Sequence, residues 1–153
     1  MDSQTIEKGV KEYYGKELQS TEDLKTNACC TEAEIPNHIK VGLGNIHDEV
    51  MTRYFGCGLT IPTKVEGLRV LDLGSGSGRD CYLLSQLVQE SGSVVGLDMT
   101  DEQLDVANRH LEWHREKFEY EKSNVEFRKG NIQNLKEAGL KDKEFDLIVS
   151  NCV

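Results

Sequence analysis

Residues 69–78 read RVLDLGSGSG, a short apolar stretch joined directly to a run of alternating glycines. Residues Arg69 to Leu73 predict a short apolar strand. The glycines predict a tight turn that can approach a ligand closely, because glycine tolerates backbone angles that other residues avoid. A helix is predicted from Arg79 onwards. A strand, a glycine-rich turn and a helix in this order are typical of a ligand-binding α/β sheet.

The rest of the chain continues this alternation of strands and helices. Three later stretches have strand character: residues 93–97, 125–129 and 145–151. Helices are predicted at about 79–90 and 100–117, the second opening on a capping box of Thr100 and Gln103. Strands that alternate with helices imply right-handed crossovers and a parallel sheet. The predicted fold class is therefore α/β over residues 67–153.

Residues 1–66 predict a helical cap with cysteine-bearing loops. Apolar residues recur at helical spacing in two stretches, one within residues 3–24 and one that begins near Pro36 and continues to Tyr54. Glycines follow the second stretch and end it in a turn.

The chain ends at Val153, directly after the fourth predicted strand. In an open sheet, Leu147, Ile148 and Val149 of that strand would form an exposed apolar edge unless further strands covered them. We therefore expect the sequence to be a fragment that lacks the C-terminal part of its domain. We also expect the fragment alone to be inactive or nearly so.

The charge and the composition exclude several classes of function. The chain carries 18 Lys+Arg against 27 Asp+Glu, a formal net charge of -9, so attraction to the phosphates of nucleic acid is not expected. No stretch approaches the roughly 20 apolar residues of a membrane span. The polar N-terminus lacks the apolar stretch of a secretory signal, which predicts a cytoplasmic protein without nucleic-acid or membrane partners. The 5 cysteines are an odd number and include no CxxC pair, so disulfides and a zinc site are disfavoured.

Two positions near the glycine turn bear on the ligand. Asp98 ends the second predicted strand, 20 residues after Gly78, where a carboxylate can accept hydrogen bonds from ribose hydroxyls. A dinucleotide-binding turn has glycine at the sixth place of its pattern, and Arg79 stands there instead. The arginine at this place disfavours a nicotinamide-dependent enzyme. Tight binding of NAD would make that alternative credible again.

The spacing found in this turn is GxGxG over residues 74–78, with the acidic Asp72 two positions ahead. It resembles the first motif of the S-adenosylmethionine-dependent class I methyltransferases. Later motifs of that superfamily match three further stretches: Asp98-Met99, Gly130-Asn131-Ile132 and residues 145–151. The resemblance implies a Rossmann-like methyltransferase fold, here an incomplete parallel sheet with N-terminal helices, and S-adenosylmethionine as the cofactor.

The resemblance also implies which residues contact the cofactor. Asp72 would orient the methionine part, which the glycine turn faces, while Asp98 binds the ribose and Met99 lies against the adenine. Asn131 stands where the superfamily usually has an acid beside the adenine amino group. The complete predicted set is Asp72, Gly74, Ser75, Gly76, Gly78, Asp98, Met99, Gln103, Asn131, Ile132 and Asn151.

A narrower resemblance rests on four stretches: TNAC (26–29), RYFGCG (53–58), LDLGSGSGRDC (71–81) and SNCV (150–153). They resemble arsenite methyltransferase, and the match includes the N-terminal helices that other methyltransferases do not share. The family commonly has tyrosine at the position of Phe55. The function that the resemblance implies is methyl transfer from S-adenosylmethionine to trivalent arsenic, a detoxification reaction on arsenite or its thiol conjugates.

In that family, cysteines at the positions of Cys29, Cys57 and Cys152 bind arsenic or exchange electrons with it. The resemblance makes these three the predicted catalytic residues and arsenic ligands. Soft trivalent arsenic binds thiolates strongly, and its lone pair could then attack the sulfonium methyl in line without a general base. A thiol reductant such as glutathione or thioredoxin would return the arsenic to its trivalent state.

The remaining candidate ligands have weaker support. Cys81 is predicted to be a small buried residue of the first sheet helix, and Cys30 is a spare or alternative thiol beside Cys29. His110 and His114 are four residues apart and could hold a metal, but their charged neighbours indicate a solvated helix face.

Two other functions remain open besides the nicotinamide enzyme. One is a methyltransferase for another small molecule, in which the cysteines are incidental. The other is a non-catalytic fragment that binds the cofactor or arsenite, or that only interacts with the full-length protein.

Overall fold

The computed structural model describes residues 3–19, 35–56, 58–151 and 153. In chain order its elements are α1 (Ser3–Glu12), a π-helical turn (Tyr13–Glu17), α2 (Asn37–Gly44), α3 (Asp48–Thr52), β1 (Arg69–Leu73), α4 (Arg79–Val88), β2 (Ser93–Asp98), α5 (Asp101–Arg109), α6 (Leu111–Lys117), β3 (Val125–Lys129) and β4 (Leu147–Ser150). None of the helices within these ranges is long and apolar enough to cross a membrane.

The four strands form one parallel sheet in the order β3-β2-β1-β4, which confirms the predicted fold class. Helices connect β1 to β2 and β2 to β3, turns connect β3 to β4, and β1 is an inner strand with Asp72 paired to Gly96 on one side and Val149 on the other. Because all strands run in the same direction, their carboxyl ends meet at a single edge of the sheet. The loops that follow the strands are thereby brought together.

The fourth strand is an edge strand, as predicted, but only part of it is exposed. Ile148 is 56% exposed, whereas Val149 is 6% exposed and packs into the core. The strand is also shorter than predicted, because Asp146 is held in place before it. The Asp146 carboxylate accepts hydrogen bonds from the backbone amide and the guanidinium of Arg69.

The prediction of a capping box at Thr100 was wrong. The Thr100 side chain makes no capping hydrogen bond, and its backbone amide donates instead to Asp98 Oδ1 at 2.8 Å. Gln103 Nε2 donates to the carbonyl of Tyr14 at 3.3 Å, so a tertiary contact occupies the residue that was expected to complete the box. The predicted helix also breaks at His110 into α5 and α6.

The second N-terminal helix was also predicted as one element and is divided in two. Asn45 ends α2, and the His47 side chain accepts a hydrogen bond from the Glu49 amide at the start of α3. Pro36 precedes the first helical residue and occupies the N-cap position. A side-chain acceptor that begins a new helix explains the break, because it replaces the backbone acceptor of a continuous helix.

The N-terminal helices and the sheet share one hydrophobic core. Ile39 and Val50 of the N-terminal part pack in the same buried cluster as Tyr82 and Val88 of α4. Tyr82 is fully buried, its ring stacks on that of His114 at 3.5 Å, and its hydroxyl donates to the carbonyl of Ala107. The core fixes α4 behind the glycine turn and so positions the turn at the sheet edge.

Candidate ligand site at the carboxyl edge of the sheet

A cavity of about 440 Å³ lies at the carboxyl ends of all four strands. Its volume is within the usual range for small-molecule and cofactor sites. All but one of the predicted cofactor residues line it: Asp72, Gly74, Ser75, Gly76, Asp98, Met99, Gln103, Asn131, Ile132 and Asn151. The structure therefore brings together residues that are far apart in the sequence.

Gly78 is the exception and does not line the cavity. It precedes α4 with a φ of 93°, and a Cβ added there would lie 2.7 Å from the Phe127 ring and 3.2 Å from the Tyr82 ring. Its lack of a side chain serves the packing of the turn against β3. The structure gives Gly78 a packing role, and its contact with the ligand stays a prediction.

The backbone amides of the glycine turn are already used within the protein. Gly74 and Ser75 donate to the carbonyl of Leu97 at 2.8 and 3.0 Å, and Gly76 donates to Asp98 Oδ2 at 2.9 Å. A phosphate-binding turn instead presents free amides to the anion. This turn is not built to hold a pyrophosphate.

Carboxylates dominate the charge of the cavity wall. Among the described residues, Asp72, Asp80, Asp98 and Glu7 line it, against the single guanidinium of Arg53. Burial, and next the negative charge of Asp80, raise the pKa of Asp72 to about 7. A cavity of this kind repels phosphate and suits a ligand that carries positive charge.

The Cys81 thiol contacts the Asp72 carboxylate. The residue is fully buried on α4, as predicted, and its Sγ donates a hydrogen bond to Asp72 Oδ2 over 3.3 Å. Burial and the nearby aspartates raise the pKa of the Cys81 thiol well above its ordinary value. Cys81 is therefore a protonated donor and a poor nucleophile.

Two buried polar atoms of the cavity wall have no hydrogen-bond partner among the described residues. They are Ser75 Oγ and Gln103 Oε1. Leaving a buried polar atom unpaired costs on the order of 1–3 kcal/mol, so these atoms indicate that a polar ligand satisfies them.

Sequence reasoning missed the contribution of the N-terminal helix. Ile6 and Val10 of α1, together with Tyr14 of the π-helical turn, line the cavity. The turn is held in place by the Gln103 bond to Tyr14 and by the close approach of Gly15 to Glu102 and Thr100. Helical spacing predicted an amphipathic helix, but the spacing does not say which surface the apolar face covers.

The candidate arsenic ligands Cys29, Cys57 and Cys152, as well as Cys30, lie outside the described residues. Chain neighbours of two of them can be placed: Gly56 and Asn151 line the cavity. Gly58, which follows Cys57, accepts a hydrogen bond from Asn151 Nδ2, which precedes Cys152, over 3.5 Å. The two sequence segments thus meet at the cavity wall.

The two histidines considered as a metal site, His110 and His114, are hydrogen-bonded within the protein. His114 Nδ1 lies 2.7 Å from the carbonyl of His110, and its Nε2 accepts from the amide of His47. His47, Glu49 and His110 do come together, with His110 Nε2 2.6 Å from Glu49 Oε2. The His47 and His110 rings stack face to face at 3.7 Å, however, so their in-plane lone pairs do not converge on one ion.

Comparison with known proteins agrees with this geometry. The sequence pattern of the methyltransferase domain family matches residues 64–153. The chain is 52% identical over 153 residues to an arsenite methyltransferase of Mus musculus, covering 99% of this chain and 41% of that protein. It is 55% identical over 148 residues to an arsenite methyltransferase of Aquipseudomonas alcaligenes, covering 97% of this chain and 42% of that protein.

A solved structure is also similar. The crystal structure of an arsenic (III) S-adenosylmethionine methyltransferase from Chlamydomonas reinhardtii superposes with a TM-score of 0.76 at 50% identity. The superposition covers 78% of this chain and 40% of that chain. The chain thus spans about two fifths of the length of the curated relatives that it matches.

Proposed function

Because the chain belongs to the methyltransferase domain family, we propose that its cavity binds S-adenosylmethionine and that the protein methylates trivalent arsenic. The observation that carries the cofactor proposal is a cavity lined by three aspartates, next to a glycine turn whose placed amide bonds are internal. S-adenosylmethionine carries a positive sulfonium and a positive ammonium group and no phosphate. Its positive groups complement the carboxylates of the cavity wall, whereas these carboxylates repel the negative pyrophosphate of NAD.

We assign the cofactor contacts from the positions of the side chains. Asp72 accepts from the ammonium group, and Asp98 accepts from the ribose hydroxyls with the lone pairs that its two backbone bonds leave available. Met99 and Ile132 provide the apolar walls for the adenine. Gly74, Ser75, Gly76, Gln103, Asn131 and Asn151 complete the assigned set, which differs from the predicted one only by omitting Gly78.

The shifted pKa of Asp72 makes cofactor binding depend on pH. Its pKa of about 7 in the unliganded protein means that the carboxyl must lose its proton before it can hold a cation. We expect the affinity for S-adenosylmethionine to rise up to about tenfold per pH unit below pH 7 and to level off above it. Isothermal titration calorimetry in buffers of different ionisation enthalpy measures this, together with the proton released on binding. A flat pH profile without proton release would contradict the assignment of Asp72.

We propose that residues 1–66 act as a cap over this site and that residues 67–153 form the front part of the methyltransferase domain. The position of α1 and the π-helical turn along the cavity supports the proposal. The cap then excludes water from the cofactor, which strengthens the interactions with Asp72 and Asp98.

We propose that Cys29, Cys57 and Cys152 hold the arsenic as thiolates. The support is the resemblance to the arsenite methyltransferases and the contact between Gly58 and Asn151, which brings the neighbours of two of these cysteines together. When bound, S-adenosylmethionine supplies a methyl group as an electrophile to the lone pair of the arsenic. The thiolates fix the arsenic and leave its lone pair free, so catalysis comes from alignment.

The same proposal covers the partners and the location of the protein. Each transfer leaves the arsenic oxidised, so two thiols, from two glutathione molecules or one thioredoxin, must return two electrons and form a disulfide before the next transfer. We propose a cytoplasmic location, where thiols stay reduced, and neither nucleic acid nor a membrane as a partner, in keeping with the net charge of -9.

The test is arsenic speciation after the purified protein is incubated with arsenite, S-adenosylmethionine and glutathione. We expect methylated arsenic, and its loss in Cys57→Ser, when these residues are part of a protein as long as the curated relatives, and little or none from the 153 residues alone. The Cys57→Ser variant should bind S-adenosylmethionine with unchanged affinity, which separates loss of the thiol from loss of the fold. Undiminished methylation by Cys57→Ser would contradict the arsenic assignment, while absent cofactor binding by the unaltered protein would contradict the whole proposal.

A further inference from the structure

An arginine outside the proposed cofactor set forms a buried cluster beside the cavity. Arg79 is the first residue of α4 and is 9% exposed. Its Nη2 and Nε lie 2.7 and 2.9 Å from Oδ1 of Asp80, whose side chain is 6% exposed. Burying an ion pair costs free energy unless its remaining donors and lone pairs are also hydrogen-bonded. The other contacts of Arg79 and Asp80 therefore indicate the role of the pair.

The remaining contacts of Arg79 go to the segment 54–58. Nη2 donates to the carbonyl of Gly58 at 3.0 Å, and the guanidinium carbon lies 3.3 Å from the centroid of the Tyr54 ring. One planar group thus holds this segment at two points, by a hydrogen bond in its plane and by its face on an aromatic ring.

The end of β4 joins the same cluster through Asn151. Its Nδ2 donates to the Tyr54 hydroxyl at 2.7 Å and lies 3.3 Å from Asp80 Oδ2. The same nitrogen is 3.5 Å from the carbonyl of Gly58. Three stretches that are distant in the sequence are therefore tied together on one side of the cavity.

We propose that Arg79 is a positioning residue that holds the segment 54–58 against the end of β4 and thereby sets how readily the thiols of Cys57 and Cys152 share one atom. The inference rests on the proposed function, and it concerns the chain positions directly beside the two cysteines, Gly58 and Asn151. Adjacent Cα atoms are about 3.8 Å apart, so a displacement of Gly58 or Asn151 in an Arg79 variant is expected to change the reactivity of the thiols one position away. Lysine cannot replace this arginine, because an ammonium group has neither a planar face to stack on the Tyr54 ring nor the fixed, forked arrangement of N–H donors.

The first readout is the rate at which a Cys57–Cys152 disulfide forms when the protein is treated with diamide, followed by peptide mapping. Each disulfide gives two electrons and two protons to diamide, so neither arsenic nor cofactor is needed. We expect Arg79→Lys and Arg79→Met to slow its formation by about tenfold, the effect of losing one charged hydrogen bond. We also expect a higher KM for arsenite and little change in the affinity for S-adenosylmethionine.

Arg69→Lys is the matched control. Arg69 makes a comparable bidentate pair with Asp146, but at the opposite end of β1 from the cavity. Its replacement should leave the disulfide rate unchanged.

Tyr54→Phe keeps the test decisive if the Arg79 variants fail to fold. It keeps the ring under the guanidinium and removes the hydroxyl, which accepts from Asn151 and donates to the carbonyl of Gly58. We expect a smaller decrease in the same direction. Disulfide formation at the unaltered rate in the folded variants would overturn the inference, as would its complete absence in the unaltered protein. Failure of arsenic methylation alone would instead count against the proposed function.

Discussion

Replacing Asp72 by asparagine is expected to remove most of the affinity for S-adenosylmethionine while making the unliganded protein more stable at pH 8. The loss of binding follows from the lost charge, since a hydrogen bond to a charged group contributes about 1.5–3 kcal/mol, or about 10- to 150-fold in affinity. The gain in stability follows from burial, because the Asp72 carboxylate lies in a nearly closed environment beside Asp80. The Cys81 thiol can still donate to the oxygen of the new amide.

The sign of the stability effect depends on pH. Folding raises the pKa of Asp72 from 3.8 to about 7, so this group increasingly destabilises the folded state as the pH rises between these values. The effect is complete above pH 7 and absent below pH 4. We therefore expect Asp72→Asn to raise the free energy of unfolding by about 1–3 kcal/mol at pH 8, less than the full shift because the buried amide also has a desolvation cost. Thermal unfolding at pH 8 and pH 4 measures the difference.

Asp146→Asn is the control with the opposite sign. Its hydrogen bonds to Arg69 lower the pKa of Asp146 to about 2, so the ionised form stabilises the fold above that pH. Its loss should lower stability at pH 8 and leave cofactor binding unchanged. Equal affinity of Asp72→Asn and the unaltered protein for S-adenosylmethionine would contradict the role given to Asp72.

Replacing Gly78 by alanine is expected to cause a large loss of stability, greater than that of replacing Gly76, where a Cβ would meet open space. Gly78 has a φ of 93°, which costs about 1–2 kcal/mol for a residue with a side chain. The new methyl group would also lie 2.7 Å from the Phe127 ring, and overpacking of this kind costs about 1–3 kcal/mol. The sum is about 2–5 kcal/mol, measurable by urea denaturation.

Gly139→Ala separates the two contributions. Gly139 has a φ of 76° and open space where a Cβ would lie, so its replacement should cost the backbone contribution alone. A loss in Gly78→Ala no greater than that in Gly139→Ala would show that the contact with Phe127 does not constrain the turn.

The sheet was predictable because its signals are local. Strands β1 and β3 have the predicted bounds, and each is followed directly by a glycine, Gly74 and Gly130, which ends it. The parallel arrangement follows from the helices between them, and it alone places Asp72, Asp98 and Asn131 at the same edge. The carboxylates of Asp72 and Asp98 could therefore be placed at the cavity without coordinates, whereas Asp80 and Glu7 of its wall were not predicted.

The contacts that close the site could not be predicted, because they depend on tertiary packing. Gln103 has the spacing of a capping residue, but it contacts Tyr14, 89 positions away in the sequence. Arg79 served in the sequence only to disfavour a dinucleotide turn, whereas the structure shows it bound to Gly58, 21 positions earlier. Such contacts leave no periodic pattern, since each depends on where a distant segment packs.

The most direct test of the proposed cofactor site is calorimetric titration of the purified protein with S-adenosylmethionine and, separately, with NAD at pH 8. We expect S-adenosylmethionine to bind at one site, the heat of binding to be lost in Asp72→Asn, and NAD not to bind. Binding of NAD in place of S-adenosylmethionine would contradict the assignment of the cavity.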